Sequence, residues 1–263
     1  MRLDIRTRRE RFQEARNYSV YYGQGNGHKL SRYDIAIVEP SAQSVDDIRV
    51  MKESNTLIIA YVTVMELGSF HSMYSMLDED DFLKVNGKRV YKEAFDTYIL
   101  NLQSKRWQGL LHHHVGNLLL NEGYDGIFMD TIGDVEGYFL PPVERNIQIN
   151  QATHIVKRFR ESFQNHLIVQ NNGLEQLCVK TAPYLDGICW ENPPFSQKES
   201  EDWCYNVLDR VIRMKREHSV KALFLNDQHE IKLRPSAGII SQSIADKHEF
   251  LYYEAQEHYM TLL

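Results

Sequence analysis

GYDGIFMDT at Gly123–Thr131 and YLDGICWENPPF at Tyr184–Phe195 repeat one pattern. In each, Asp-Gly-Ile opens a short apolar run and a carboxylate closes it. Asp125-Gly126-Ile127 leads to Asp130, and Asp186-Gly187-Ile188 leads to Glu191. A short, nearly continuous apolar run with a turn residue at its start reads as a parallel strand covered on both faces. Glycine at the strand start allows close packing. Asp125 and Asp186 sit at the opposite end of their runs from Asp130 and Glu191, so they read as turn or cap residues. The repeated spacing marks two equivalent βα units.

Six further runs of the same kind surround these two. The candidate strands are Tyr18–Tyr22, Asp34–Val38, Leu57–Val64, Gly126–Met129, Leu167–Gln170, Gly187–Trp190, Ala222–Leu225 and Phe250–Tyr253. Helical spacing lies between them. Ser44 followed by Asp47 forms a capping box ahead of a helix through Met51. Apolar residues recur at helical intervals from Trp107 to Leu119, from Ile155 to Phe163 and from Trp203 to Ile212. Eight strands with helices between most of them predict an α/β fold, a TIM-type (β/α)8 barrel in one domain over 1–263; an open doubly wound sheet is the alternative. The connection between the third and fourth strands is long, and residues 69–96 read as an excursion over the top of the barrel.

Composition narrows the function. Charged residues make up 25% and hydrophobic residues 43% of the 263, which is a globular balance and not that of a disordered chain. Basic residues number 30 against 36 acidic ones, giving a formal charge of −6 and no basic footprint for nucleic acid or an anionic membrane. No apolar stretch is long enough to span a bilayer. The N-terminus, MRLDIRTRRERFQEAR, mixes six arginines with acids and has no apolar core of a secretory signal; it reads as a solvated amphipathic helix. As the sequence stands, the expected location is the cytoplasm, or outside the cell if a leader has been trimmed. Cys178, Cys189 and Cys204 are too few and too irregular for a disulfide framework or a zinc site.

The chemistry concentrates where the strands end. Glu39, Glu66, Asp130, Asn171, Asn172, Glu191, Asn226 and Asp227 terminate or follow six of the runs. In a barrel these positions form the active face. One acid there is an ordinary helix cap. A ring of them is costly at the end of an apolar barrel unless water or a ligand satisfies it. Two carboxylates facing each other across a mouth are the requirement of glycoside hydrolysis, one attacking the anomeric carbon or activating water and the other protonating the leaving oxygen. That reaction needs no cofactor, and no GxGxxG, GxxxxGK[ST] or HExxH occurs. Tyr22, Tyr61, Trp190 and Phe195 lie near strand ends, where aromatic rings stack on sugar faces or fill the core. His112-His113-His114 falls inside a helical pattern, so its side chains diverge and cannot share a metal. Cys189 reads as a buried thiol, and Asp78–Asp81 as an exposed helix start, not a calcium loop.

Taken together, YYG (Tyr21–Gly23), YDIAIVEP (Tyr33–Pro40), IAYVTVMELGSF (Ile59–Phe70), the Trp107 helix running into GYDGIFMDT, VQNNG (Val169–Gly173) and YLDGICWENPPF resemble the endo-α-1,4-polygalactosaminidase-type glycoside hydrolases, the group that includes the spherulin-4-like proteins. The resemblance runs in family order across most of the chain. It implies a TIM-type barrel that cleaves α-1,4-linked galactosamine polysaccharide, with Asp130 and Glu191 as the acidic pair. By analogy with other α-glycosidase barrels, Asp130 is the nucleophile and Glu191 the acid/base. The family's second acid and aromatic after the fourth strand are matched here by Asp134 and Tyr138. An amino sugar is an ammonium at neutral pH, and Glu39, Glu66 and Asp134 are expected to favour it. Tyr22, Tyr61, Asn171, Asn172, Trp190 and Asp227 complete the expected substrate contacts, and the expected partner is a polysaccharide or oligosaccharide. The alternatives are a glycosidase for another α-glycan and a carbohydrate-binding barrel without catalysis.

Overall fold

The chain, a computed structural model that describes residues 7–137 and 139–262, winds its strands in sequence order around a barrel. They are β1 (Tyr18–Tyr21), β2 (Ile35–Val38), β3 (Leu57–Thr63), β4 (Gly126–Asp130), β5 (Leu167–Asn171), β6 (Gly187–Glu191), β7 (Lys221–Asp227) and β8 (Leu251–Ala255). Each pairs in parallel with the next. Every predicted strand is present, its ends within two residues of the expected ones. A doubly wound sheet reverses its strand order at a switch point; this sheet never does, which decides for the barrel.

The helices α1 (Arg8–Glu14), α2 (Val45–Glu53), α3 (Lys105–Asn117), α4 (Pro142–Ser162), α5 (Leu177–Thr181), α6 (Glu201–His218) and α7 (Pro235–His248) follow the apolar periodicity. The capping box forms as read. The Ser44 side chain accepts from the Asp47 N–H, and the Asp47 carboxylate accepts from the Ser44 N–H. His112, His113 and His114 lie on α3. His112 stacks on Phe163 and reaches Ser162.

Side chains alternate along the strands. Val20, Ile37, Ile59, Phe128, Val169, Cys189 and Leu225 point into the lumen. Ala36, Ile58, Ile127, Ile168, Ile188 and Phe224 point out, into the layer shared with the helices. The N-terminal helix closes the bottom. Phe12 is fully buried among the lumen residues. It is why position 187 is glycine: a Cβ there would lie 2.9 Å from the Phe12 ring. Gly126 makes the same allowance for Leu167, 2.5 Å from where its Cβ would stand. Asp125 and Asp186 are bottom-face caps, as their position predicts. Asp125 accepts from the Ile58 N–H at 3.0 Å and from Arg8 at 2.8 Å. Asp186 accepts from the Ile168 N–H at 2.8 Å, from Arg9 at 2.7 Å, and from Arg160. The amphipathic helix expected at the N-terminus forms, with its charged side toward solvent; its one buried residue, Phe12, also makes it a plug, and Arg8 and Arg9 reach the barrel floor. The first six residues of that reading lie outside the described ones.

The excursion begins earlier than residue 69. Glu66–Gly68, Thr97–Ile99 and Tyr91–Lys92 form a three-stranded antiparallel side sheet at the mouth. Trp107 on α3 is fully buried, and its indole N–H donates to the Val64 carbonyl at 2.9 Å, fixing the chain where it leaves β3. No ladder hydrogen bonds join β8 to β1. Tyrosines close that seam. The Tyr18 hydroxyl donates to the Phe224 carbonyl at 2.6 Å, the Tyr18 and Tyr253 rings lie 5.6 Å apart, and the Tyr22 N–H donates to the Tyr259 carbonyl at 2.8 Å.

Candidate active site

The period of two that fills the lumen continues to the C-terminal rim. Tyr22, Glu39, Tyr61, Asp130, Asn171, Glu191 and Asp227 each stand two residues beyond a lumen side chain. Asp130, Asn171 and Glu191 are the last residues of three successive strands, and one amide joins them. Asn171 Nδ2 donates to Asp130 Oδ1 and to Glu191 Oε2, each at 2.8 Å. Two carboxylate acceptors on one atom fix which end of the amide is nitrogen. The two carboxylate oxygens are then no farther apart than those bonds laid end to end, and about 5 Å apart for an NH2 whose hydrogens diverge by about 120°. Asn171 Oδ1 is buried with no hydrogen-bond partner among the described residues.

Each carboxylate has a tyrosine. Tyr61 donates to Asp130 Oδ2 at 2.8 Å, and Tyr259 donates to Glu191 Oε1. The Tyr22 ring lies between them, 4.8 Å from Tyr61 and 5.1 Å from Tyr259. Burial pushes the Glu191 carboxyl above its ordinary range, Asp130 adds to that, and the donations from Tyr259 and Asn171 act the other way. The Tyr22 and Tyr61 phenols are raised first by burial and then by Asp130, so both stay protonated.

One backbone device recurs at the rim. Thr131, Asn172 and Asn192 each directly follow a strand's last residue, with φ of 60°, 54° and 48°. Each turns its side chain back onto a neighbouring strand. Thr131 Oγ1 accepts from the N–H groups of Val64, Met65 and Glu66. Asn172 Oδ1 accepts from the Glu191 N–H at 3.1 Å, and Asn192 Oδ1 from the Asp227 N–H at 2.8 Å. Asn tolerates the left-handed region better than most residues, which accounts for two of the three. Asn172 therefore holds the backbone of Glu191.

Other expected contacts are engaged by the chain's own groups. Trp190 alternates out of the lumen; it is 2% exposed and packs on Phe195, Trp203 and Phe224, so it is core and not a sugar platform here. Glu39 caps a short turn, accepting from the Ser41 N–H and hydroxyl. Glu66 opens the side sheet and is buried; it accepts from Lys92 and from the Thr97 hydroxyl. Asp134 accepts from the same Lys92 ammonium at 2.8 Å. Asp227 accepts from the His229 N–H at 2.9 Å and meets His258 Nδ1 at 2.7 Å. Tyr138 lies outside the described residues. The acidic run is a helix start as read: Asp78 caps a short helical turn at Glu79–Asp81 and Asp78, Glu79 and Asp80 are exposed, while Asp81 alone is buried, taking a hydrogen bond from Ser104 and an ion pair from Arg106. Cys178, Cys189 and Cys204 are buried free thiols. The described residues contain no group of three His, Cys, Asp or Glu placed to hold a metal.

Sequence reasoning missed Tyr259 and Lys92. Both come from irregular segments: Lys92 from the excursion, Tyr259 from the turn after β8. Glu257, His258 and Tyr259 have φ of 45°, 52° and 69° in succession. For side chains other than glycine that backbone costs on the order of 1–3 kcal/mol per residue. It is held by His258 on Asp227, by Thr261 on the Glu257 carboxylate and by Tyr22 on the Tyr259 carbonyl.

The sequence fits the model of Glycoside-hydrolase family GH114 over residues 7–202. The chain belongs to glycoside-hydrolase family GH114. Among solved structures, the glycoside hydrolase domain of PelA from Pseudomonas aeruginosa superposes with a TM-score of 0.74 at 15% identity, covering 94% of this chain and 97% of that one. Ega3 from Aspergillus fumigatus, solved in complex with galactosamine, gives 0.61 at 11% identity over 81% of this chain and 78% of its own. The α-galactosidase TtGalA from Thermus thermophilus gives 0.60 at 12% identity over 94% of this chain and 59% of its own. At these identities the likeness is one of fold. No curated protein matches significantly in sequence. The GH114 match ends before β7 begins, so Asp227, His258 and Tyr259 lie beyond it.

Proposed function

We propose that this GH114 glycosidase hydrolyses an α-1,4-linked galactosamine-type polysaccharide by double displacement, with Asp130 as nucleophile and Glu191 as acid/base. The observation that carries the reading is the single Asn171 amide spanning both carboxylates. A separation of about 5–5.5 Å belongs to retaining enzymes, whereas inverting ones need about 6.5–9.5 Å to admit a water. The raised Glu191 carboxyl suits the acid role, because it keeps its proton in the presence of its neighbour. The galactosamine complex of Ega3 and the α-galactosidase fold relative support the sugar class.

In the first step an Asp130 oxygen attacks the anomeric carbon, the bond to the leaving oxygen breaks, and Glu191 delivers its proton to that oxygen. In the second, Glu191 takes a proton from water, the water oxygen attacks the same carbon, and Asp130 leaves. Tyr61 and Asn171 hold Asp130 for in-line attack.

Turnover of an α-1,4-galactosamine polymer and the anomer first released test this. E191Q should lose at least about 10²-fold in kcat, the scale of general acid catalysis, and lose less on an aryl glycoside whose leaving group needs no proton. D130N should lose activity on both. Full activity in either variant, or an inverted first product, sinks the assignment.

A further inference from the structure

The turn after β8 reaches the rim with two consecutive side chains. His258 Nδ1 meets Asp227 Oδ2 at 2.7 Å, and the Tyr259 hydroxyl donates to Glu191 Oε1. A carboxylate oxygen only accepts, so Nδ1 carries the hydrogen. The other Asp227 oxygen accepts from the His229 N–H at 2.9 Å, and the Asp227 N–H donates to Asn192 Oδ1 at 2.8 Å. Asp227 is thereby fixed on its strand, and it fixes His258 in turn.

The left-handed backbone of the turn follows from what it spans. Glu191 of β6 pairs with Leu225 of β7, so Asp227, two residues on, shares the parity of Glu191 on the neighbouring strand. Neighbouring strands lie about 4.8 Å apart and consecutive Cα atoms about 3.8 Å. Two consecutive residues can therefore serve two neighbouring strands, provided that their side chains do not diverge. Extended backbone sends them to opposite sides. With φ of 52° at His258 and 69° at Tyr259, both reach the barrel. The Tyr259 carbonyl also takes the Tyr22 N–H at 2.8 Å. The Glu257 bonds stay inside the turn, from Thr261 to its carboxylate and from the Met260 N–H to its carbonyl. His258, the residue next to Tyr259, is thus what ties the turn to β7. Burial, and then Glu191, push the Tyr259 phenol upward, so it stays protonated and donates. Glu191 also faces Asp130, Asp227, Cys189 and the phenols of Tyr18 and Tyr22, and the His258 ring lies 5.2 Å from that of His229.

We propose that His258 is a positioning residue for the acid: bound to Asp227, it holds the turn so that the Tyr259 hydroxyl stays on Glu191. The proposal deepens the hydrolase reading above and rests on it for any effect on turnover.

The Glu191 titration reads this hold without an activity assay. It is followed by carboxyl carbon NMR in glutamate-labelled protein and assigned by its loss in E191Q. The variants are H258G, H258N, Y259F and the double variant H258G/Y259F. Glycine accepts the left-handed backbone, so H258G removes the ring without opposing the turn. Asparagine also tolerates that region, and its amide can donate where Nδ1 did. H258G should make the Glu191 ionisation constant at least about threefold smaller, in the direction of Y259F, because the ionised carboxylate loses more than the protonated form when the hydroxyl leaves. The double variant should match Y259F within about twofold, and H258N should match wild type within about twofold, since a tenfold change is the scale of a whole charged hydrogen bond. A wild-type constant in H258G overturns the proposal. An H258G effect that persists at full size beside Y259F overturns it as well, because His258 would then act on Glu191 as a charge through space. An H258N shift equal to that of H258G does the same. If the titrations move as expected and no galactosamine polymer is cleaved, the hydrolase reading fails and the hold on Tyr259 stands; if the polymer is cleaved and the titrations do not move, the reverse is true.

Discussion

Replacing Tyr259 by phenylalanine removes one hydroxyl from a buried acid and leaves the ring. In the structure that hydroxyl donates to Glu191 Oε1, and the ring keeps its 5.1 Å contact with Tyr22. A hydrogen bond to a charged group contributes about 1.5–3 kcal/mol and one to a neutral group about 0.5–1.5. The ionised form of Glu191 therefore loses about 1–1.5 kcal/mol more than the protonated form, which makes its ionisation constant about five- to tenfold smaller. The sign follows from the proposed role. A general acid works while protonated, so activity falls as pH rises through the Glu191 titration, already displaced upward by burial. Y259F weakens the acid further, and the alkaline limb of kcat/KM must move to higher pH while the acid limb stays. The assay is a pH profile of hydrolysis for wild type and Y259F, with E191Q as the variant that lacks the limb. An unmoved alkaline limb, or one moved to lower pH, refutes the claim that Tyr259 tunes Glu191.

The barrel floor gives two stability predictions that leave the chemistry alone. Phe12→Ala empties a fully buried aromatic site against Gly187 and should cost about 3–5 kcal/mol; calorimetry should show the melting temperature lower by roughly 10 °C, and a change under 2 °C would mean that α1 is not a plug. Asp186→Ala takes the carboxylate from Arg160, 17% exposed, and from the more exposed Arg9, leaving each guanidinium only backbone carbonyls, and strands the Ile168 N–H. Allowing for solvent at Arg9, the loss should be about 2–3 kcal/mol, with kcat at 25 °C unchanged; a kcat that falls with stability intact would contradict the structural role.

The barrel was legible because two periods overlap in the sequence. Apolar runs gave the strands, and within each run the lumen parity, carried two residues past the last apolar side chain, lands on Asp130, Asn171 and Glu191. The same parity was the warning against Trp190: it neighbours Glu191 and so must face the helices. Adjacency in sequence to a residue that faces the lumen is evidence of the opposite side of a strand. Asn172 and Glu39 are engaged by backbone groups for a related reason. Both are polar residues just past a strand end, and there the unpaired N–H groups of the rim compete with any ligand for their oxygens.

What the sequence concealed arrives from segments with no period. The mouth was expected to be acidic because the acids could be counted at strand ends, whereas the cation that answers them sits on a two-residue strand of the excursion. Lys92 looks like any exposed lysine until the side sheet brings it over Glu66 and Asp134. Tyr259 is hidden in the same way by three successive left-handed residues after β8. No propensity selects that conformation; it survives because the seam between β8 and β1, lacking a ladder, leaves the Tyr22 N–H free to take the Tyr259 carbonyl. The open seam of the barrel and the second hydrogen bond on the proposed acid are therefore one feature. A full β8–β1 ladder that reached Tyr22 would claim that N–H and leave Tyr259 without its hold beside Glu191.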